Sequence, residues 1–384
     1  MRGARWLFLV AAVAMAAQAA PAAPPPAADE LAYQFPDDRV LRYRIKRNDA
    51  LTYKGDNGKT TETDVEEQTL DFAPGRDGQG LHVRYREFKV LRIAPDLSYK
   101  FDSGSTYSAK QIANDPLLGL FEGMIGDGYR VRFGARGAAG VTGMADMLSR
   151  SAVRGLDGDP QTGADAAATM REVLTDANTR GYLAAVFPEF PSGASAGTKW
   201  SRREKFALAG IVFEQEFQYQ VAAISGGKAT ITLGGRYRTL VDNQYTAYEG
   251  TIAGTAAFDC KAGRLLSSTR KIAIKLPNFS MSDSYELAFV KSVPVADSGP
   301  ASYERAVKTG TAVLARRTVG GAPGRIMPVH ADDLCEVRAF FACPGDEVRV
   351  LETKEIDGVA RHRVVTTRGR TGWMVDAALV PAKS

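Results

Sequence analysis

One short stretch carries the residue types of a hydrolase nucleophile, a glycine–x–serine–x–glycine pattern centred on Ser195. In such enzymes the serine stands on a sharp turn between a strand and a helix. Here the proline-rich "FPEFPS" precedes the serine and the strand-like "TKWSRREKFAL" follows it. The only histidines, His82, His330 and His362, are distant along the chain, so a base would have to be brought in by the fold. The pattern predicts a loop, not a catalytic site.

A second pattern, serine–x–x–lysine, runs from Ser268 to Lys271. It lies in a strand-like run, and residues three apart in a strand project to opposite faces. The two side chains therefore cannot work together. No phosphate-binding glycine loop and no zinc-binding histidine motif occurs in the sequence. We expect no catalytic residue and no cofactor, with an unrecognised hydrolase kept as an alternative.

The acidic loop "DGDPQTGAD", which begins at Asp157, has the composition of a calcium loop. An EF-hand loop needs glycine at its sixth position and glutamate at its twelfth. Counted from Asp157, these positions hold Thr162 and Ala168. The loop is predicted to be a polar surface turn, and the sequence predicts no metal site.

The first 19 residues have the features of a secretory signal peptide. Arg2 and Arg5 precede a short apolar run, and a small–x–small site ends at Ala19. The run is too short to cross a bilayer comfortably, and no later run is long enough. We expect cleavage after Ala19, a periplasmic or secreted protein, a Pro/Ala linker over 20–30 and no transmembrane span.

The three cysteines all lie in the mature chain. Export would favour disulfides, and Cys335 and Cys343 are eight residues apart. Closing so short a loop stabilises a fold by roughly 2.5 kcal/mol in the chain-entropy model. We predict a Cys335–Cys343 bridge, with Cys260 either buried or paired between chains.

The charge does not indicate nucleic-acid binding, although the calculated pI is 9.0. The net charge is +5, and removal of Arg2 and Arg5 leaves +3. Basic and acidic residues are interleaved, whereas nucleic-acid binders concentrate basic residues on one face. We predict no nucleic-acid partner.

Most of the chain alternates apolar and polar residues, as expected for antiparallel strands. The run "LHVRYREFKVLRI" shifts phase after Tyr85, which predicts a β-bulge. Asp115 and Pro116 are typical of a helix start. Residues 143–187 have helical spacing, with Thr179 as a candidate cap, and strands resume at Trp200.

These elements predict a mainly β protein. Residues 31–295 would form one large unit, an antiparallel meander or half-barrel with a helical insert at about 143–187. A linker over 296–305 would lead to a smaller last unit over 306–384. Aromatic residues lie along the strands, and they could fill a sheet core or line a cavity between the sheet and the helices. They are Tyr85, Phe88, Phe213, Phe217, Tyr219 and Tyr237.

Two segments of the large unit resemble an uncharacterised family of secreted bacterial β-rich proteins, a domain of unknown function. The first is "FPEFPSGASAGTKW", a proline-bracketed loop that ends in a strand start from Gly197 to Trp200. The second is "GTAAFDCKAGRLLSS", a strand and turn that contains Gly254 and Gly263. The resemblance covers residues 31 to about 293. It implies a fold and no activity.

The last unit resembles a bacterial SH3-like module. The matching residues are "GDEVRVL", the Asp357-Gly358 turn and the closing "GWMV" with Trp373. The family's usual opening strand signature is replaced here by "RRTVGGAPGRIMPV", and "LCEVRAFFAC" looks inserted. The resemblance implies a small barrel that binds peptidoglycan or another envelope protein, with Trp373 as a packing residue or a candidate ligand-binding residue.

The sequence therefore favours an exported, non-enzymatic cell-envelope protein that docks through its SH3-like unit. The alternative is a periplasmic carrier of an apolar ligand, a lipid, in a cavity of the large β unit.

Overall fold

The computed structural model describes residues 30–55, 58–75, 80–95, 97–105, 107–156, 160–208, 211–240, 250–276, 279–295, 315–320, 327–330, 332–334, 338–342, 346–366 and 371–381. The predicted signal peptide, linker residues 20–29 and 296–305, and both Cys335 and Cys343 lie outside the described residues.

The protein is mainly β, as predicted, and its large sheet is antiparallel and open. The strands are β1 (Arg39–Gly55), β2 (Gly58–Pro74), β3 (Leu81–Ala94), β4 (Leu97–Asp102), β5 (Gly128–Gly134), β6 (Gly137–Thr142), β7 (Lys199–Leu208), β8 (Ile211–Ser225), β9 (Lys228–Leu240), β10 (Gly250–Asp259), β11 (Arg264–Leu276) and β12 (Phe279–Pro294). Their order is β6-β5-β3-β2-β1-β12-β11-β10-β9-β8-β7, with β4 paired to β3. The pairing of β1 with β12 joins the two halves of the sheet.

The predicted bulge in β3 is confirmed. Thr69 pairs with Glu87, and the next residue, Leu70, pairs with Tyr85, so Arg86 is the extra residue. A bulge of this kind bends a strand and increases its twist.

Five helices lie between β4 and β7: α1 (Ala109–Asn114), α2 (Pro116–Met124), α3 (Met144–Gly155), α4 (Pro160–Arg171) and α5 (Asp176–Val186). Asp115 caps α2 as predicted, since its carboxylate accepts from the amide of Leu117 at 3.1 Å. Thr179 as a cap is wrong. Thr175 caps α5, because its hydroxyl accepts from the amide of Asn178 at 3.0 Å, and Thr179 lies inside the helix.

The large sheet is strongly curved. The amide of Tyr33 donates to Ala135 in the β5–β6 turn at 2.8 Å, and the amide of the next residue, Gln34, donates to Gly263 in the β10–β11 turn at 2.7 Å. Five strand spacings separate β5 from β11, about 24 Å across a flat sheet. Two adjacent amides can reach both turns only because the sheet curls around residues 30–36.

The curled sheet forms a trough whose inner face surrounds residues 30–36. An aromatic cluster fills this end of the trough. The ring of Phe187, at the end of α5, is fully buried and lies 5.1 to 6.2 Å from four other rings. These rings are Tyr33, Tyr43, Phe72 and Phe133. The cluster fixes the helical segment to the inner face of the sheet.

The C-terminal unit is a second antiparallel sheet with its own small core. Its strands are β13 (Ala315–Val319), β14 (Met327–His330), β15 (Arg338–Ala342), β16 (Glu347–Ile356), β17 (Val359–Thr366), β18 (Thr371–Val375) and β19 (Leu379–Pro381). Asp357 and Gly358 have φ of 55° and 73° in the β16–β17 hairpin, as a two-residue primed turn requires. The SH3-like assignment stays a prediction.

Arg154 of α3 links the two units. Its guanidinium donates to Asp127 before β5 and to Asp346 before β16. Among the helices within the described ranges, none is long and apolar enough to cross a membrane.

Candidate functional site: a buried belt of charged residues

A row of charged residues crosses the inner face of the large sheet between two apolar rows. Cross-strand register aligns Glu66 of β2, Arg47 of β1, Tyr285 of β12 and Arg270 of β11. The next row towards the far ends of the strands holds Asp49 and Asp283 as a direct pair. We call these six residues the charged belt.

Apolar rows flank the belt on both sides. Ile45 and Leu287 form the row nearer the aromatic cluster. Leu51, Met281 and Ile274 form the row beyond Asp49. A belt of ionisable groups in the middle of an apolar face costs free energy unless the charges are paired and hydrogen-bonded.

Arg47 is balanced by the two aspartates. Its Nη2 lies 2.6 Å from Oδ2 of Asp49, and its Nε lies 3.5 Å from Oδ1 of Asp283. Burial and a hydrogen bond to Asp283 raise the pKa of Asp49 well above its ordinary range. Near neutral pH, Asp49 is therefore held towards its protonated, neutral form beside Arg47.

Glu66 is also shifted towards its neutral form. Burial of the carboxyl raises the pKa of Glu66 to about 7, although Arg47 across the strand lowers it. The residue as a whole is partly exposed, but its carboxyl group is enclosed by protein and accepts from Gln68. The carboxyl of Glu66 is therefore about half protonated near neutral pH, and a small change in pH alters its charge.

Arg270 differs from Arg47 because it lies between aromatic rings. It is 8% exposed. Its guanidinium carbon lies 4.5 Å from the ring centroid of Tyr285 and 5.7 Å from that of Phe217. Burial lowers its pKa, but Tyr285, Tyr237 and Asp283 outweigh that effect and raise it. Arg270 is therefore a permanent buried cation.

Several buried polar atoms of this region have no hydrogen-bond partner among the described residues. Three of the atoms are Nε of Arg270, Oδ1 of Asp49 and the hydroxyl of Tyr182. The other two, Nε of Arg47 and Oδ1 of Asp283, lie 3.5 Å apart as an ion pair without hydrogen-bond geometry. Tyr182 of α5 packs over Tyr285, with ring centroids 5.8 Å apart. Buried polar groups in folded proteins are nearly always paired, so these unpaired atoms are the candidate polar contacts of a ligand at this site.

The belt is better suited to holding charge than to acid–base catalysis. The hydrogen-bonded pair of Asp49 and Asp283 resembles the carboxyl pairs of some hydrolases in its arrangement. Here, however, the guanidinium of Arg47 lies against both carboxyl groups. The arrangement can bind a polar or charged group within an apolar trough.

None of the sequence's catalytic patterns forms part of the belt, although Ser268 lies in the adjacent row, paired with Leu287. Ser195 is exposed in the loop before β7, where its amide donates to Oγ1 of Thr198 at 3.0 Å. Ser268 is buried in β11 and Lys271 is exposed, on opposite faces. The ring of His82 is buried, and burial and Arg84 lower its pKa to about 3. Within the residues that the structure places, no cluster of three or more metal-ligating side chains occurs.

Trp373 lies in the second sheet beside a shallow groove of about 370 Å³. The residue is 7% exposed, and Nζ of Lys354 lies 5.0 Å from its ring centroid. Lys354 pairs with Asp333 at 2.7 Å. One face of the indole is therefore covered by the chain's own lysine. Elsewhere in this sheet, His362 bridges Thr353 at 2.9 Å and Asp376 at 2.8 Å.

The aromatic residues that were expected to fill a sheet core or line a cavity are largely buried. Tyr85, Phe88, Phe217, Tyr219 and Tyr237 are all less than 10% exposed. The side chain of Phe213 lies outside the described residues.

Comparison with known proteins gives a family without an assigned role. Residues 80–265 match a family of unknown function (DUF6263). This agrees with the expected uncharacterised family, over a shorter range than 31–293. No curated protein matches the chain. One similar solved structure, described as "Lipid-protein interactions in lipovitellin", is 10% identical, with a TM-score of 0.40; the match covers 70% of this chain and 27% of that chain.

Sequence reasoning missed the belt. The signal was present in β1, where Leu41, Tyr43, Ile45, Leu51 and Tyr53 share one phase of the alternation. Two charged residues of the belt interrupt that same phase. A charged residue on the apolar phase of a strand is an unusual position, and it could have been noted from the sequence.

Proposed function

We propose that this protein is an exported, non-enzymatic carrier that holds an amphiphilic lipid in the trough of its large sheet. The observation that carries the proposal is the charged belt, with its unpaired buried atoms, between apolar rows. A molecule with an apolar chain and a polar group matches that alternation. The apolar chain would lie along the far row of Leu51, Met281 and Ile274.

Physical cost supports a binding role. An uncompensated buried charge destabilises a fold by several kcal/mol, roughly 3–5 kcal/mol where a partner is removed. Hydrophobic residues of similar volume at these positions would avoid that cost. Shifted ionisable groups of this kind cluster at functional sites.

Native mass spectrometry of the full mature protein tests the proposal directly. We expect co-purifying lipid, and after delipidation we expect binding of a neutral hydrophobic dye such as N-phenyl-1-naphthylamine. Leu51→Trp would fill the inner face and weaken dye binding at least tenfold. Ala50→Trp, one residue along on the outer face, is the matched control. Absence of both lipid and dye binding would overturn the carrier proposal.

The groove beside Trp373 favours a second candidate function, docking to peptidoglycan or an envelope protein. Its walls carry both signs of charge, with Asp332, Asp333 and Glu352 against Lys354 and Arg363. Such a wall suits a peptide with free amino and carboxyl groups. The full mature chain should co-sediment with purified peptidoglycan, and Lys354→Glu should reduce that binding. Retention no greater than that of an unrelated protein of equal charge would exclude wall binding.

A further inference from the structure

The two arginines of the belt are not equivalent, and their difference indicates what the site accepts. Arg47 has two carboxyl groups within 3.5 Å. Arg270 has no carboxylate at ion-pair distance among the residues that the structure describes, and its Nε is buried without an acceptor. Because both aspartates of the belt lie against Arg47, the positive charge of Arg270 is left in excess, without a carboxylate partner among the described residues.

This excess charge cannot be removed by deprotonation. An arginine stays protonated in proteins, and the surroundings of Arg270 raise its pKa further. The rings of Tyr285 and Phe217 stabilise the cation through their faces. They offer no acceptor for its N–H groups.

A second unpaired donor packs against the same ring. The hydroxyl of Tyr182 is buried and has no partner within the described ranges, and Tyr182 and Arg270 both pack against Tyr285. One donor belongs to the sheet and the other to α5. A group that accepted from both would complete the site and join the helix to the sheet.

We infer that Arg270, assisted by Tyr182, binds the anionic group of the carried ligand, a carboxylate or phosphate. This rests on the proposed carrier function and specifies its ligand class as acidic amphiphiles. Charge-assisted hydrogen bonds from a guanidinium to such oxygens are among the strongest in proteins. The flanking aliphatic residues Ile252 and Ile272 would contact the start of the apolar chain.

Binding of matched amphiphiles to the delipidated mature protein tests the inference. The probes are hexadecanoic acid, hexadecyl phosphate and hexadecan-1-ol, which share one chain, together with inorganic phosphate. We expect the two acids to bind at least tenfold more tightly than the alcohol. Arg270→Met should weaken binding of both acids at least tenfold and so remove that preference.

Arg264→Met is the matched control. Arg264 lies on the same strand, and its guanidinium carbon is also 4.5 Å from a ring centroid, that of Phe289, but Asp259 is its carboxylate partner at 3.8 Å. This variant should keep the preference for acids. Arg270→Met should also raise the urea midpoint of the ligand-free protein, since it removes an unpaired buried cation. If Arg270→Met does not fold, Tyr182→Phe should lower acid binding alone.

The outcomes separate the two proposals. Equal binding of acids and alcohol, with no effect of Arg270→Met, would overturn the anion site and leave the carrier function standing. Binding of no amphiphile would overturn the carrier function. Binding of inorganic phosphate alone, lost in Arg270→Met, would support the anion site and assign it to a free anion.

Discussion

Glu66→Gln should make the protein more stable than the wild type at high pH. The carboxyl of Glu66 has a pKa of about 7 in the folded protein, against an ordinary value of 4.5. The folded protein therefore holds a proton that the unfolded chain has lost at pH values between 4.5 and 7. Stability is greatest below this window and falls as the pH rises through it.

The size of the effect follows from the shift. A difference of one pKa unit corresponds to about 1.4 kcal/mol, so the rise of Glu66 costs about 3 kcal/mol of stability once the pH exceeds 7. Glutamine keeps the shape and the oxygen that accepts from Gln68 but carries no charge at any pH. The free energy of unfolding of the variant, minus that of the wild type, should rise by about 3 kcal/mol between pH 4.5 and pH 8.

Only the difference in the free energy of unfolding between the variant and the wild type isolates the contribution of Glu66. His82 acts in the opposite direction, because its pKa is lowered to about 3 and the unfolded state gains a proton below about pH 6.5. Asp49, with its raised pKa, acts in the same direction as Glu66. Both contributions are common to the variant and the wild type, so they cancel in the subtraction.

Urea unfolding at five pH values from 4.5 to 8.5 measures the difference. In a Trp373→Phe background, Trp200 is the one tryptophan after residue 19, and its ring stacks on Tyr219 of the large sheet at 5.0 Å. Its fluorescence therefore reports the sheet that holds Glu66. Glu67→Gln removes a carboxylate that pairs with Lys46 on the outer face, and it controls for loss of a surface charge. If the difference in the free energy of unfolding between Glu66→Gln and the wild type does not change with pH, the pKa of Glu66 is not raised. Its carboxyl would then not be buried in the belt.

Three further predictions concern other parts of the fold. Phe187→Ala removes the centre of the aromatic cluster and should lower the free energy of unfolding by about 3–5 kcal/mol; a urea midpoint unchanged in far-UV circular dichroism would contradict that packing. Gly358→Ala places a side chain at φ 73° and should destabilise the second sheet by about 1–2 kcal/mol, seen as an earlier transition in Trp373 fluorescence; coincidence with the wild-type curve would exclude the primed turn. Peptide mapping without reduction should find Cys335 joined to Cys343, and alkylation of both in the unreduced exported protein would show that the predicted bridge does not form.

Features that depend on neighbouring residues could be predicted from the sequence. The cap at Asp115 and the bulge after Tyr85 were predicted correctly, because each is set by a few adjacent residues. Thr179 was assigned wrongly as a cap. Thr175, four residues earlier, accepts from the amide of Asn178 in the first turn of α5, and apolar spacing alone does not decide which of the two threonines begins the helix.

The candidate site could not be predicted in this way. Glu66, Arg47 and Arg270 are separated by up to 223 positions in the numbering, and only the register of β2, β1, β12 and β11 places them in one row. Arg47 stands out on the apolar phase of β1, but no single strand shows which charged residues of other strands lie beside it. The curvature was equally hidden, since it depends on Tyr33 and Gln34 bonding to two distant turns.

The sequence by itself determined the alternation of strands, the helical segment and the β character of the chain, because period-2 patterning and capping are local properties. Tertiary structure alone decided which charged residues are buried, since burial depends on which strands pair, how the sheet curls and where α5 packs. In the sequence Arg270 is an ordinary charged residue of a strand, and in the folded protein it is a buried cation beside the rings of Tyr285 and Phe217. Charge and solvation energies follow from the final environment of a residue, and a linear sequence does not contain that environment explicitly.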